Sequence, residues 1–237
     1  MQRIILFRHN MIPELIIKQR ITDLKEFGRT LRNEKYRLAE YLVKEAGLTL
    51  ADKLWEIDFS ANTLETFERE KDLIVGRKSS GDKAIFVPYN DPILSLATSL
   101  APAYLASTET DTILLKFPTE KLPELGNFMN ESIRKNLTGI EFYDGNGRKF
   151  IEDIIHSHTK TVMLYGHHSW VEPLEPLFRL SGQTVIFEGG SKNPFIVSEN
   201  ADIERAAMTA YENNILYSGQ ACFSSKRFYV HKSLHDT

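Results

Sequence analysis

Between Pro13 and about Ala46 the apolar positions recur at helical spacing. Ile21, Leu24, Gly28 and Leu31, then Leu38, Tyr41 and Leu42, share one face, which predicts a helical segment stopping near Gly47. A second helical stretch, about Leu50 to Asp72, repeats the pattern through Leu54, Ile57, Ala61, Leu64 and Phe67. After the turn-rich connector Arg77–Lys83 the pattern changes. Short β-rich runs follow at Ala84–Val87, Thr112–Phe117, Gly139–Tyr143, Thr161–Tyr165 and Thr184–Phe187, each trailed by helical or loop sequence. This alternation predicts an α/β fold, a doubly wound and mostly parallel sheet behind an N-terminal helical lead-in. In such sheets ligands gather at the carboxyl ends of the strands, so attention falls on the residues after each run.

The last of these ends carries the most suggestive chemistry. Its run stops at Glu188, Gly189 and Gly190 and continues through Lys192-Asn193-Pro194 into Phe195-Ile196-Val197. Asn200 or Ser198 can then cap a helix whose buried stripe would be Ile203, Ala207 and Ala210. The chain next reaches Gly219-Gln220-Ala221-Cys222, which makes Glu188 a candidate general base and Cys222 a candidate nucleophile. On residue type alone, Cys222 is as readily a small buried hydrophobe. At the first strand end, Pro88-Tyr89-Asn90 offers an amide that could serve an oxyanion or merely a local turn.

Composition narrows the field. A chain of 237 residues can bury a substantial core, and a formal charge of −3 supplies no basic field for nucleic acid. The single cysteine excludes an intramolecular disulfide and fits a reducing compartment. No apolar run reaches the roughly 18 residues of a membrane span, and the apolar start Met1–Phe7 is too short for a signal peptide. A cytoplasmic protein without nucleic-acid or membrane partners is therefore expected. His156, His158, His167 and His168 invite a metal reading, but adjacent histidines on extended chain face opposite ways and no acidic partner has ligand spacing. No metal is expected.

Taken jointly, Glu188, Gly190, Lys192 and Pro194, followed by Gly219, Gln220, Cys222 and Arg227, resemble the signature of the aldehyde dehydrogenase superfamily. The resemblance implies a Rossmann-like sheet that binds NAD or NADP, with a small aldehyde as substrate and a homo-oligomer as the complete protein. It implies Cys222 as nucleophile, Glu188 as base for thioester hydrolysis and Asn90 as oxyanion donor. Pro88, Tyr89 and Asn90 match the family's P-W-N motif with Tyr for Trp. Pro118, Thr119 and Glu120 match the stretch that holds the adenosine ribose, with Lys116 as its lysine. Gly145 falls on the loop near adenine, Gly166 and His167 on the pyrophosphate turn, and Gly189 and Gly190 beside the base.

Departures from the pattern are informative. Phe117 separates Lys116 from Pro118, and one residue in a regular strand turns a side chain to the opposite face. Lys116 is therefore expected to point away unless a bulge intervenes. His167 and Val171 stand where the family has small residues, and Pro173 and Pro176 shorten the helix that follows.

By this resemblance residues 1–76 are the helical segment of the cofactor domain, 77–218 its Rossmann-like core and 219–237 the start of a truncated catalytic domain. The terminal strand, Arg227 to His231, would leave an edge without a neighbour. Alternatives are an acyl-thioester or acyl-phosphate reductase of the same superfamily, or a non-catalytic nucleotide-binding remnant. With most of the catalytic domain absent, the 237-residue chain alone should show little turnover; robust NADH formation from it would contradict that expectation.

Overall fold

The computed structural model describes residues 11–235. They form two compact units, Met1–Glu188 and Gly189–Thr237. The apolar start at Met1–Phe7 lies outside the described residues.

The first unit begins with the helical lead-in. Helices α1 (Glu14–Asn33), α2 (Lys35–Ala46) and α3 (Leu50–Thr66) bury the stripe read from the sequence, including Leu24, Leu31, Leu38, Leu42, Ile57 and Leu64. The long first segment bends at Glu34, and α2 packs on α3 as well as on α1. Gly28 permits the α1–α3 crossing, because a Cβ there would stand 2.9 Å from the Ala61 carbonyl oxygen. Gly47 ends α2 in the left-handed conformation (φ 74°) that glycine adopts without strain. Helix α3 stops at Thr66, short of the expected Asp72. Phe67–Leu73 instead forms a tighter 3-10 turn that fully buries no residue, with Phe67 packed partly against the core.

The sheet consists of β1 (Lys83–Phe86), β2 (Ile113–Lys116), β3 (Ile140–Phe142), β4 (Thr161–Gly166) and β5 (Thr184–Gly189), in the order β3-β2-β1-β4-β5. The pairs β1–β2, β1–β4 and β2–β3 are parallel. The crossovers are α4 (Pro92–Leu105), α5 (Pro123–Asn136), α6 (Gly147–Ile155) and the short α7 (His168–Val171) with α8 (Glu175–Leu180).

Strand alternation feeds two cores. Ile85 and Leu115 join the cluster packed with α1–α5, while Ala84, Val162 and Leu164 join Phe150, Ile154 and Phe178 on the other face. The sheet is thus doubly wound. Its order reverses between β1 and β4, since the chain builds outward through β2 and β3 before returning to β1's other side. That reversal opens a crevice at the carboxyl ends of β1 and β4.

The second unit is a βαβ unit. β6 (Asn193–Val197) pairs in parallel with β7 (Ser225–Val230), and α9 (Ile203–Ile215) connects them. Among the described residues β7 has β6 as its one neighbour in this sheet. Two expectations fail here. Asp202 caps α9, accepting from the Arg205 N–H at 3.0 Å, rather than Asn200 or Ser198. The stripe of Ile203, Ala207 and Ala210 is not buried; α9 has no buried residue, because among the described residues no apolar layer covers that face.

Arg20 joins the lead-in to the sheet layer. Its guanidinium donates to the carbonyl oxygens of Tyr104 and Ser107 and, at 2.8 Å, of Thr108, satisfying chain at the carboxyl end of α4. Arg20→Met should lower stability by about 2–3 kcal/mol, read as a fall in the urea midpoint with unchanged slope, since buried carbonyls lose a charged donor. An unchanged midpoint would show that water replaces the guanidinium without cost.

Candidate functional site

Beyond β1 the chain runs Val87-Pro88-Tyr89-Asn90, and the Val87 N–H still bonds the Lys116 carbonyl at 3.0 Å. These residues form one wall of a cavity of about 590 Å³. Tyr89 is partly exposed, and the Lys121 ammonium lies 4.1 Å from its ring centroid. Asn90 is fixed through its backbone: its carbonyl accepts from Lys53 Nζ at 2.6 Å. Asn90 lines the cavity, and its side-chain amide makes no hydrogen bond among the described residues.

Beneath Asn90 lies a buried cluster of charge. Lys53 and Glu56, both 0 % exposed, pair at 2.8 Å. Glu56 also accepts from the N–H groups of Ile93 (2.9 Å) and Leu94 (3.3 Å) in the first turn of α4. Burial pushes the Glu56 carboxyl up, against the pull of Lys53 and those N–H groups. Burial, with the neighbouring Glu56, likewise pushes Asp91 up to about 6.

At the end of β2 the expectation for Lys116 is corrected. Leu115 and Phe117 both point into the helical core, so the residue between them faces the other way, into the cavity. The additional phenylalanine lies beyond the end of β2, so the face of Lys116 is unchanged and no bulge is needed. Lys116 is 2 % exposed and donates to Glu120 Oε2 at 2.8 Å and to the Phe117 carbonyl at 3.0 Å. Burial opposes ionisation of Glu120, yet the Lys116 bond holds its carboxyl below the usual range. Pro118 and Glu120 line the cavity. Thr119 turns aside and packs its methyl group against Gly126, where a Cβ would come within 2.6 Å.

After β3, Gly145 lies under the Tyr143 ring, 2.4 Å from where its Cβ would be, and does not line the cavity. Its successors do: Asn146, whose side chain caps α6 by accepting from the Lys149 N–H at 2.9 Å, and Gly147. After β4, Gly166 and His167 close the cavity beside Tyr165 and Trp170. Trp170 packs directly over Gly166, with Nε1 only 2.3 Å from a would-be Cβ, and its ring centroid lies 5.7 Å from that of Phe86. His167 Nδ1 accepts from the Ser169 N–H at 3.2 Å and so caps its own short helix. A second, apolar cavity of about 710 Å³ shares Phe86, Gly147 and Trp170 with the first and is otherwise lined by α6, α7 and α8 neighbours such as Ile151 and Leu174.

The cavity thus gathers Pro88, Tyr89, Asn90, Lys116, Pro118, Glu120, Gly166 and His167. The residues not singled out from the sequence, Phe86, Lys121, Asn146, Gly147, Tyr165 and Trp170, sit at the same strand ends or on the following turns, which the general rule for such sheets would have flagged. Glu188 is exposed near the end of β5, and a Cβ on Gly190 would meet open space. In the second unit Cys222 is exposed, and its carbonyl accepts from Asn193 Nδ2 at 2.9 Å. It follows a run of left-handed residues, Tyr217 (φ 53°), Ser218 (φ 52°) and Gly219 (φ 72°), of which the first two are strained for side-chain-bearing residues. Among the described residues no cluster of three His, Cys, Asp or Glu could hold a metal ion.

A sequence model described as "Aldehyde dehydrogenase family" matches residues 10–237. The chain belongs to the aldehyde dehydrogenase family. Among its relatives, the 3,6-anhydro-alpha-L-galactose dehydrogenase of Vibrio sp. (strain EJY3) is 28% identical over 239 residues, covering 92% of this chain and 49% of that protein. The D-glyceraldehyde dehydrogenase (NADP(+)) of Picrophilus torridus is 25% identical over 227 residues, 87% of this chain and 45% of its own length. A solved 3,6-anhydro-L-galactose dehydrogenase superposes with a TM-score of 0.80 at 26% identity, covering 94% of this chain and 50% of that one. The chain spans about half the length of the aldehyde dehydrogenases it matches.

The Asp91 carboxyl gives this site a pH signature. Its folded value of about 6 exceeds the ordinary 3.8, so folding takes up a proton between these values. The stability it contributes is complete below about pH 4 and is lost as pH rises through about 6. Asp91→Asn should therefore stabilise the protein at pH 8 by about 1–3 kcal/mol and change little at pH 4, measured by urea unfolding across that range. A difference independent of pH would show that Asp91 ionises normally in the fold.

Proposed function

We propose that this chain carries the cofactor cleft and reacting thiol of an NAD(P)-dependent aldehyde dehydrogenase, which converts an aldehyde to a carboxylic acid. The observation that carries the reading is the cavity at the β1/β4 reversal, which Asn90, Lys116, Glu120 and Gly166 line together. The residues present fit a dinucleotide. The apolar cavity beside Phe86, Ile151 and Trp170 suits a flat base, and the Lys116–Glu120 pair offers a donor and an acceptor for ribose hydroxyls. Lys121 and His167 supply donors at the rim for phosphate oxygens.

In this reading the Cys222 thiolate adds to the aldehyde carbon, forming a C–S bond and leaving an oxyanion on the former carbonyl. The resemblance gives the Asn90 amide the role of donor to such an oxyanion. What bound NAD or NADP supplies is a hydride acceptor, so that the aldehyde carbon is oxidised by two electrons to a thioester. Glu188 then takes a proton from water, which attacks the thioester; the C–S bond breaks, the acid leaves and the thiol is restored. These roles for Cys222 and Glu188 rest on the resemblance of the residues around them to the family's signature. Small aldehydes are the substrate class, as the names of the relatives indicate for those proteins.

A non-catalytic nucleotide-binding role is the second reading. What suggests loss of catalysis is the turn after β4, where His167 accepts from the Ser169 N–H and so leaves a weaker hold on a cofactor's phosphates.

Glu188→Gln discriminates among the chemistries. Single-turnover assays of the complete protein with NADP and an aldehyde should show reduced cofactor forming at near-normal rate, with acid release slowed roughly 100-fold or more. Unchanged acid release would favour the acyl reductase alternative. Loss of all reduced cofactor in Cys222→Ser is expected, and its persistence would refute the thiol mechanism.

A further inference from the structure

The loop that presents Asn90 is held from below by two residues on α3 that no step of the chemistry uses. Lys53 and Glu56 stand one turn apart on that helix, fully buried and paired at 2.8 Å. Lys53 Nζ reaches forward to the Asn90 carbonyl at 2.6 Å. Glu56 reaches past it to the first turn of α4, accepting from Ile93 and Leu94. Those N–H groups are ordinarily satisfied by the residue that begins the helix. Here Asp91, at that position, makes no such bond; its Oδ1 accepts from Ser95 Oγ at 3.0 Å instead. Glu56 is the cap of α4, supplied from another helix.

Asn90 thus lies between two fixed points, its own carbonyl and the helix start three residues on. A buried ion pair gives little net stability over apolar side chains of the same volume. What it adds is a defined geometry for the groups it bonds, and the group it bonds next to the cavity is the backbone of Asn90. We propose that Lys53 and Glu56 are positioning residues that hold the Asn90 amide in one orientation toward the cavity. This rests on the reading of Asn90 as oxyanion donor for its catalytic meaning, but the orientation itself can be observed without turnover.

The variant that isolates the bond to Asn90 is Lys53→Met/Glu56→Gln. It buries no unpaired charge, and the Gln oxygen can still accept from Ile93 and Leu94. The readout is the side-chain NH2 resonances of Asn90 in the 15N-labelled 237-residue chain, assigned by their absence in Asn90→Asp. Expected are two sharp, well-separated proton signals in the parent that collapse toward the positions of an exposed asparagine in the double variant. The amide protons of Ile93 and Leu94 should keep their slow exchange. Lys53→Arg, which retains a cation able to reach both partners, should preserve the parent signals and covers the case in which the double variant does not fold. Unchanged Asn90 signals in the folded double variant, or their loss in a folded Lys53→Arg, would overturn the proposal. Activity is read separately. Where the parent turns over an aldehyde, the double variant should lose roughly tenfold in kcat with little change in KM for the cofactor, and an unaltered kcat would also overturn it. A parent that binds NADP but does not turn over counts against the proposed function alone, and the resonances then decide the positioning role.

Discussion

The reversal of strand order between β1 and β4 is the constraint from which the rest follows. Because β1 is central and its neighbours are laid down on opposite sides, the connections after β1 and β4 leave toward opposite faces of the sheet. No backbone crosses the gap between them at the carboxyl edge. Into that gap come the turn Val87–Asn90, the Lys116 side chain and the Gly166–His167 turn. The two hydrophobic clusters, one on each face, hold the strand ends in register and so define the cavity.

Polar groups then specify what the cavity presents. Lys116 is buried because its strand neighbours Leu115 and Phe117 claim the opposite face, and Glu120 returns one turn later to meet it. Beneath Asn90, the Lys53–Glu56 pair and Asp91 concentrate charge where apolar side chains would have sufficed for stability. Glycine does comparable work through size. At Gly166 any side chain would collide with Trp170, and Gly147 lets the Phe86 ring approach the start of α6.

Much of this architecture was legible in the residues. The period-3.6 stripe from Ile21 to Leu64 marks the lead-in, and the β-rich runs mark every strand of the five-stranded sheet, because β-branched and aromatic residues suit a pleated surface even in β3 and β5, which bury no residue. The failures have physical causes. The expectation for Lys116 fails because it counts Phe117 as a strand residue, whereas β2 ends at Lys116 and the additional residue falls in the turn. Helix α9 was expected to bury Ile203, Ala207 and Ala210, but amphipathicity predicts a face without supplying the layer that covers it. The Lys53–Glu56 bonds to Asn90 and α4 could not be read at all, since they join positions far apart in sequence through tertiary packing.

The central claim is that this crevice is a dinucleotide site. Isothermal titration of the chain with NAD and with NADP tests it most directly. The account predicts one saturable site per chain, with a dissociation constant below ~1 mM for at least one of the two, weakened by Lys116→Met. Titrations that stay flat for both nucleotides, well beyond that concentration and with the chain shown to be folded, would contradict it.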